Sequence, residues 1–324
     1  MFDLLMSADM MLADPDDMAN LLSSKLGVHQ HPRWRQAFDN HPYIAHFLRV
    51  HKSLAIAPTR IEPQWHLDAP NPGDPFFHDF LESLKAFQGP HRPMITHAVV
   101  ITLNTVEFGQ LINRLVDRKL PFRLAQRTRE MPFDRLWLGC SPEKPAYQPN
   151  VDAGLCIEIM PTEPLQMPKE VFASPPPEPT DLAPSDLVRV TARGFLVRDL
   201  DATVRTLAAN LDWQAGATED IRSDGYRRAR MPFKVRHSAS LDIIQPTRWD
   251  CDAGLYLHNW GPGLYYIRLA AMNLDAKAED LKALGVKFTR VEASDAVGGR
   301  PLLRIDPSEL RGQVFEIEEY QPLS

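Results

Sequence analysis

The chain has 324 residues, 44% of them hydrophobic, with 29 prolines, 16 glycines and a net charge of −6. That length allows two ordinary domains, and the composition excludes a collagen-like, coiled-coil or low-complexity chain. The mild negative charge, with no long basic run, argues against nucleic acid as a partner.

The chain opens with MFDLLMSADMMLADPDD, which has no basic segment before its apolar stretch and turns acidic where a signal peptide would present its cleavage site. No run approaches the ~18 apolar residues of a membrane span, so a cytoplasmic protein without a membrane partner is expected. A strand, a turn and an amphipathic helix then follow in LLMSADMMLADPDDMANLLSSKLGV (4–28). HQHPRWR (29–35) reads as a solvated loop, and residues 29–45 are too long and irregular for a plain helix-to-strand connection, which leaves a lid as the one reading. IAHFLRVHKSLAIA (44–57) reads as one or two strands and TRIEPQWHL (59–67) as another. Seven prolines fall in 58–93 and mark a secondary joint, within which FFHDFLESLKAF (76–87) reads as a short amphipathic helix.

The same strand–turn–helix grammar returns in THAVVITLNTVEFGQLINRLVDRKLPF (96–122), VTARGFLVRDLDATVRTLAANLDW (190–213) and YYIRLAAMNLDAKAEDLKALGVKF (265–288). Asp14, Asn104, Asp199 and Asn273 sit at the turns, where a side-chain oxygen can cap a helix. Short β-like segments follow: PFRLAQ, FDRLWLG and GLCIEIMP in the second unit, VKFTRV, PLLRID and QVFEIEE in the fourth. Eleven prolines crowd residues 142–184, and SPPPEPTDLAPSD (174–186) can continue neither a helix nor a central strand. The division expected is 1–165 and 187–324, joined by a Pro-rich linker at 166–186. The GPG at 261–263 reads as a turn before a strand. Cys140, Cys156 and Cys251 are far apart and form no CxxC, so free thiols are expected.

These residues carry a resemblance. SASLDIIQP (238–246), GPGLYYIRLAAMNLDAKAEDLKALGVKF (261–288) and IDPSELRGQVFEIEE (305–319), with VRDLDATV (197–204), ITHAVVITLN (95–104) and DAGLCIEIMP (152–161), resemble the vicinal oxygen chelate superfamily. The superfamily includes glyoxalase I, methylmalonyl-CoA epimerase, extradiol dioxygenases and bleomycin-resistance proteins. The resemblance implies an α+β fold of four βαβββ modules, paired into two glyoxalase-like cups, the first module being covered by analogy alone. It also implies a divalent metal, Fe2+, Mn2+ or Zn2+, held by a first-strand His and a last-strand Glu with open positions for substrate oxygens.

Carried over by position, the ligands of the second module fall on His97 and Glu158. The first module would add His66 or Glu62 from its last strand, with Ser7 and Asp9 on its first strand and His46 as a further candidate. In the third module the positions are Ala192 and Asp242. In the fourth they are Tyr266 and Glu316, so the C-terminal cup lacks the histidines and its metal site is degenerate. Tyr265, Tyr266, Trp260, Trp249, Arg268 and Glu316 are candidates for lining a substrate pocket there, and YRRAR (226–230) for holding a substrate carboxylate or phosphate.

The function expected is a metal-dependent enzyme acting on a small oxygenated substrate, aromatic or of the 2-oxo or enediol kind. It would be a ring-cleaving dioxygenase or a lyase/isomerase, with His97 and Glu158 catalytic. The alternative is a non-catalytic protein that binds or sequesters a small molecule on the same fold. A second copy of the chain, in a homodimer, is the one macromolecular partner considered.

Overall fold

The structure is a computed structural model that describes residues 1–38, 41–65, 75–89, 99–127 and 132–323. Its first module runs β1 (Leu5–Met11), α1 (Pro15–Leu21), β2 (Arg35–Phe38), β3 (His41–His46) and β4 (Arg60–Trp65). A helix, α2 (Pro75–Gln88), leads to the second: β5 (Val99–Leu103), α3 (Thr105–Asp117), β6 (Phe122–Ala125), β7 (Arg135–Leu138) and β8 (Ile157–Pro161). The third is β9 (Leu187–Leu196), α4 (Leu200–Leu211), β10 (Thr218–Ile221), β11 (Tyr226–Met231) and β12 (Ser240–Pro246). Another helix, α5 (Asp252–Trp260), leads to the fourth: β13 (Gly263–Ala271), α6 (Leu274–Ala283), β14 (Phe288–Ser294), β15 (Arg300–Ile305) and β16 (Val314–Glu319).

The helix starts follow from the sequence. Asp14, Asn104, Asp199 and Asn273 are the N-caps of α1, α3, α4 and α6, each accepting from the amide three residues on. Residues 29–45 hold more regular structure than their irregular sequence led one to expect. They hold a 3-10 turn at Pro32–Trp34 and then β2 and β3, which pair antiparallel. The short apolar runs of these two strands carry no clean alternation, so the sequence alone did not mark them.

The strands form two eight-stranded sheets, ordered β2-β3-β4-β1-β5-β8-β7-β6 and β10-β11-β12-β9-β13-β16-β15-β14. Each is a pair of βαβββ modules. In every module the last strand runs parallel to the first (β4 to β1, β8 to β5, β12 to β9, β16 to β13). The two first strands of each pair meet antiparallel at the centre. The architecture is α+β, with the modules paired in the vicinal-oxygen-chelate manner.

Alternation along the strands splits each sheet into two faces. Ile157 and Ile159 of β8, Leu136 and Leu138 of β7 and Ile101 of β5 enter one large apolar cluster, which also takes Phe195, Ile243, Ile267 and Ile317 from the second sheet. The opposite faces form the cups, and each cup is plugged by the helix that precedes its second module. Phe80, Leu81 and Leu84 of α2 pack with Met11, Val100 and Trp137. Ala253 of α5 packs with Ala192, Tyr265 and Tyr266. The tips of these helices touch. A Cβ on Gly89 would stand 2.6 Å from the Trp260 carbonyl oxygen, and one on Gly261 2.9 Å from that of Gln88. Both glycines have left-handed backbones, φ +116 and +77.

The sheets are also stitched together. The amides of Lys234 and Val235 donate to the carbonyls of Phe2 and Asp3, each at 2.9 Å. The Leu5 amide donates to Ser238 Oγ (2.9 Å) and the Ala239 amide to Thr59 Oγ1 (3.1 Å). The proline-rich segment between β8 and β9 is held against the body, since Tyr320 donates to Glu178 (2.9 Å) and His51 Nε2 lies 3.2 Å from Asp181. Among the described residues no helix is long and apolar enough to cross a membrane.

Candidate functional site

The cup of the first sheet gathers carboxylates. Asp9 of β1 lies beside Glu62 of β4 in the strand register. Gln64 Nε2 donates to Asp9 Oδ2 at 3.0 Å, and Arg193 reaches Asp9 from the other sheet. Arg60 Nε is 3.3 Å from Glu62. Across the sheet Glu158 of β8 stands between Val100 of β5 and Trp137 of β7. It is 3% exposed, and among the described residues its Oε1 has no hydrogen-bond donor. Its one ion-pair neighbour there is Arg135, at 3.7 Å. Burial pushes the Glu158 carboxyl up to about 7. The charges of Glu62 and Asp9 push the same way, while Arg135 and Arg60 oppose them.

The approach to β8 is fixed by a buried pair that the sequence reading missed. Tyr147 donates to Asp152 Oδ1 (2.6 Å), and Asp152 Oδ2 accepts from the Ile157 amide (2.8 Å). The Gly154 amide donates to Asp152 (3.2 Å) and the Cys156 amide to Tyr147 Oη (3.0 Å). Burial raises Asp152 to about 6. The available signal was Asp-Ala-Gly at 152–154, the pattern of an aspartate that bonds the backbone two residues on.

The equivalent cup of the second sheet is locked by arginine. Glu316 of β16 faces Arg268 of β13 and Arg304 of β15. Arg268 Nη2 is 2.6 Å from it and Arg304 Nη2 2.9 Å. Asp242 accepts from the Tyr266 hydroxyl at 2.7 Å and is flanked by Arg228 (3.5 Å) and Arg230 (3.2 Å). Burial works to raise the Asp242 carboxyl, but Arg228, Arg230 and Arg268 hold it below the usual carboxylate range. Guanidinium groups therefore stand where a cation would meet Asp242 and Glu316, and these residues do not fit a divalent metal.

The remaining candidates fall as follows. His97 and His66 lie outside the described residues. His46 pairs with Asp16 of α1 (Nε2–Oδ1 2.6 Å), and His51 turns to Asp181. Tyr265 is buried against Tyr256 of α5, with ring centroids 5.2 Å apart. Tyr266 and Arg268 are consumed by the locks just described. Trp260 ends α5 and is half-buried, while Trp249 is 79% exposed. In the YRRAR strand Arg227 pairs with Asp201, and Arg228 pairs with Glu219. All three cysteines are free and buried. Among the described residues no three His, Cys, Asp or Glu side chains converge on a point that could hold a metal ion.

No protein-family model and no curated protein matches this chain. Solved structures do. Methylmalonyl-CoA epimerase from Mycobacterium tuberculosis is 23% identical at a TM-score of 0.39, over 44% of this chain and 95% of that one. A Streptomyces coelicolor methylmalonyl-CoA epimerase in complex with 2-nitronate-propionyl-CoA is 26% identical at 0.35, over 41% and 96%. A hypothetical protein from Bacillus halodurans is 16% identical at 0.37, over 42% and 96%. Each match spans less than half of this chain. The strand order itself is what identifies the architecture: two vicinal-oxygen-chelate-type sheets, each closed from a pair of βαβββ modules.

Proposed function

We propose that the chain is an enzyme of the vicinal oxygen chelate kind, with its chemistry in the N-terminal cup. There Glu158 moves a proton on a small oxygenated substrate, in an isomerase or lyase reaction. One observation carries this reading. Glu158 and Glu316 occupy the same position in two equivalent sheets, yet Glu316 faces Arg268 and Arg304 while Glu158 faces Val100 and Trp137. A buried carboxyl left without such locks is poised to take up and release a proton near neutral pH.

The chemistry asked of Glu158 is the removal of a proton from carbon beside a carbonyl. Low dielectric around Trp137 and Val100 strengthens its basicity, and the Asp152–Tyr147 pair fixes the strand that carries it. The superfamily's divalent metal has no complete ligand set among the described residues.

The test is deuterium exchange into hydroxyacetone, a neutral compound with protons beside a carbonyl, followed by 1H NMR in D2O. The wild-type chain should accelerate the exchange and Glu158→Gln should abolish it. Metal analysis of untagged protein runs alongside. One equivalent of iron, manganese or zinc, lost in both His97→Ala and Glu158→Ala, would make Glu158 a ligand and overturn its role as the free base.

A further inference from the structure

Among the described residues Arg135 is the ion-pair neighbour that Glu158 does have, and its geometry differs from that of the locking arginines. Arg304 stands directly across from Glu316 in the β15–β16 pair and closes to 2.9 Å. On β7 the residue directly across from Glu158 is Trp137, so Arg135 is set back along the strand and reaches only to 3.7 Å. Among the described residues its side chain donates no hydrogen bond, so its fork of donors is uncommitted there. Its side chain is 22% exposed, against 4% for Glu158. The guanidinium is therefore the more exposed member of the pair. Trp137, Met160 and Phe133 belong to one apolar cluster on this sheet, and Phe133 and Trp137 flank Arg135 at two residues on either side along the chain. A planar guanidinium with free donors in such a setting matches a carboxylate in bidentate fashion.

We propose that Arg135 anchors a substrate carboxylate, so that the substrate of this cup is a small 2-oxo acid or its enol form. The proposal rests on the reading of Glu158 as the proton carrier. With the substrate carboxylate on Arg135, Glu158 forms an O–H bond to a proton on the carbon beside the carbonyl. The C–H electron pair becomes the enolate C=C bond, and the carbonyl π pair moves onto oxygen. Delivery of that proton to the enolate oxygen completes a keto–enol isomerisation with no oxidant or reductant, and its return to carbon is the exchange that the probes read. Arg135 also places positive charge beside the oxygen on which negative charge develops.

The experiment compares pyruvate with hydroxyacetone as probes on the full chain, again by deuterium exchange. Urea midpoints within a narrow range establish that each variant is folded. Wild type should exchange pyruvate faster than hydroxyacetone. In Arg135→Gln the pyruvate-to-hydroxyacetone rate ratio should fall at least tenfold through a raised KM for pyruvate, and Arg135→Lys should recover part of it. An unchanged ratio in Arg135→Gln overturns the anchor while leaving Glu158 its role. Equal loss of both reactions also overturns it, because Arg135 would then act only on Glu158. Exchange of both probes that survives Glu158→Gln overturns the reading beneath it, and no exchange in wild type overturns both.

Discussion

Arg193 of β9 crosses from its own sheet to Asp9 of β1, with Nη2 2.7 Å from Oδ1 and no exposed surface on either side chain. The same guanidinium donates to the Asp9 carbonyl at 3.0 Å. Each charge is out of water and depends on the other.

Breaking that pair from one side should therefore be severe. Arg193→Met leaves a buried carboxylate without its cation and should cost about 3–5 kcal/mol. Arg193→Met combined with Asp9→Leu should cost less than the sum of the single changes, because the stranded charge is gone. Urea unfolding of the four proteins measures the coupling. Strict additivity would mean that the pair contributes nothing specific.

The two equivalent glutamates should respond oppositely to amide substitution. The folded-state value of Glu158 is raised from 4.5 to about 7. Between those values the unfolded chain has lost a proton that the folded chain keeps. Stability from this group is thus lost as pH rises through the window, by about 3 kcal/mol at most. Glu158→Gln should flatten that loss and leave the protein more stable than wild type at pH 8. Glu316→Gln should destabilise at both pH 5 and pH 8, since it strands Arg268. Unfolding free energies at the two pH values decide this.

His237 should work in the other direction. It is 2% exposed, and burial, aided by the charge of Arg189, lowers it from 6.5 to about 4. Below pH 6.5 the unfolded chain takes up a proton that the folded chain refuses until about pH 4. Stability is then lost as pH falls through this window, by about 3 kcal/mol. His237→Leu should show a shallower decline between pH 7 and pH 4 than wild type. An identical slope in the two proteins would refute it.

The cap residues show what was legible in the sequence. Asp14, Asn104, Asp199 and Asn273 act within their own turns, so local reading placed every one of these helix starts. The paired modules followed from the recurrence of that local pattern. The distinction between the cups was only half visible. The lack of histidine at Ala192 and Tyr266 could be read, but the arginines that pair with Asp242 and Glu316 come from β11, β13 and β15 and meet only in the folded sheet. Arg135 was missed for the same reason. Its place is a matter of register: a shift of two residues along the strand, one step on the same face, decides whether a guanidinium locks a glutamate or stands beside it. The strands β2 and β3 escaped because they are held by pairing with each other and, for β3, with β4, and not by a pattern of their own.

The touching helix tips predict a steric effect. Gly89→Ala would drive a Cβ to 2.6 Å from the Trp260 carbonyl oxygen, at a φ that L residues avoid. It should cost at least ~2 kcal/mol. Gly285→Ala, also at positive φ (+69) but with nothing within 4 Å, should cost less. Thermal melts of the two variants side by side separate clash from backbone strain, and equal losses would rule the clash out.

The bonds from Lys234 and Val235 to Phe2 and Asp3 set an order on synthesis. A ribosome reaches residue 235 long after residue 3 has emerged, so the backbone groups at 2 and 3 wait for partners not yet made. Ser238 and Arg193, which hold Leu5 and Asp9, are equally late. The first sheet is thus complete as a list of strands well before its central strand is fully held. Its nascent form must either be sheltered or tolerate an unfinished seam until the second half arrives.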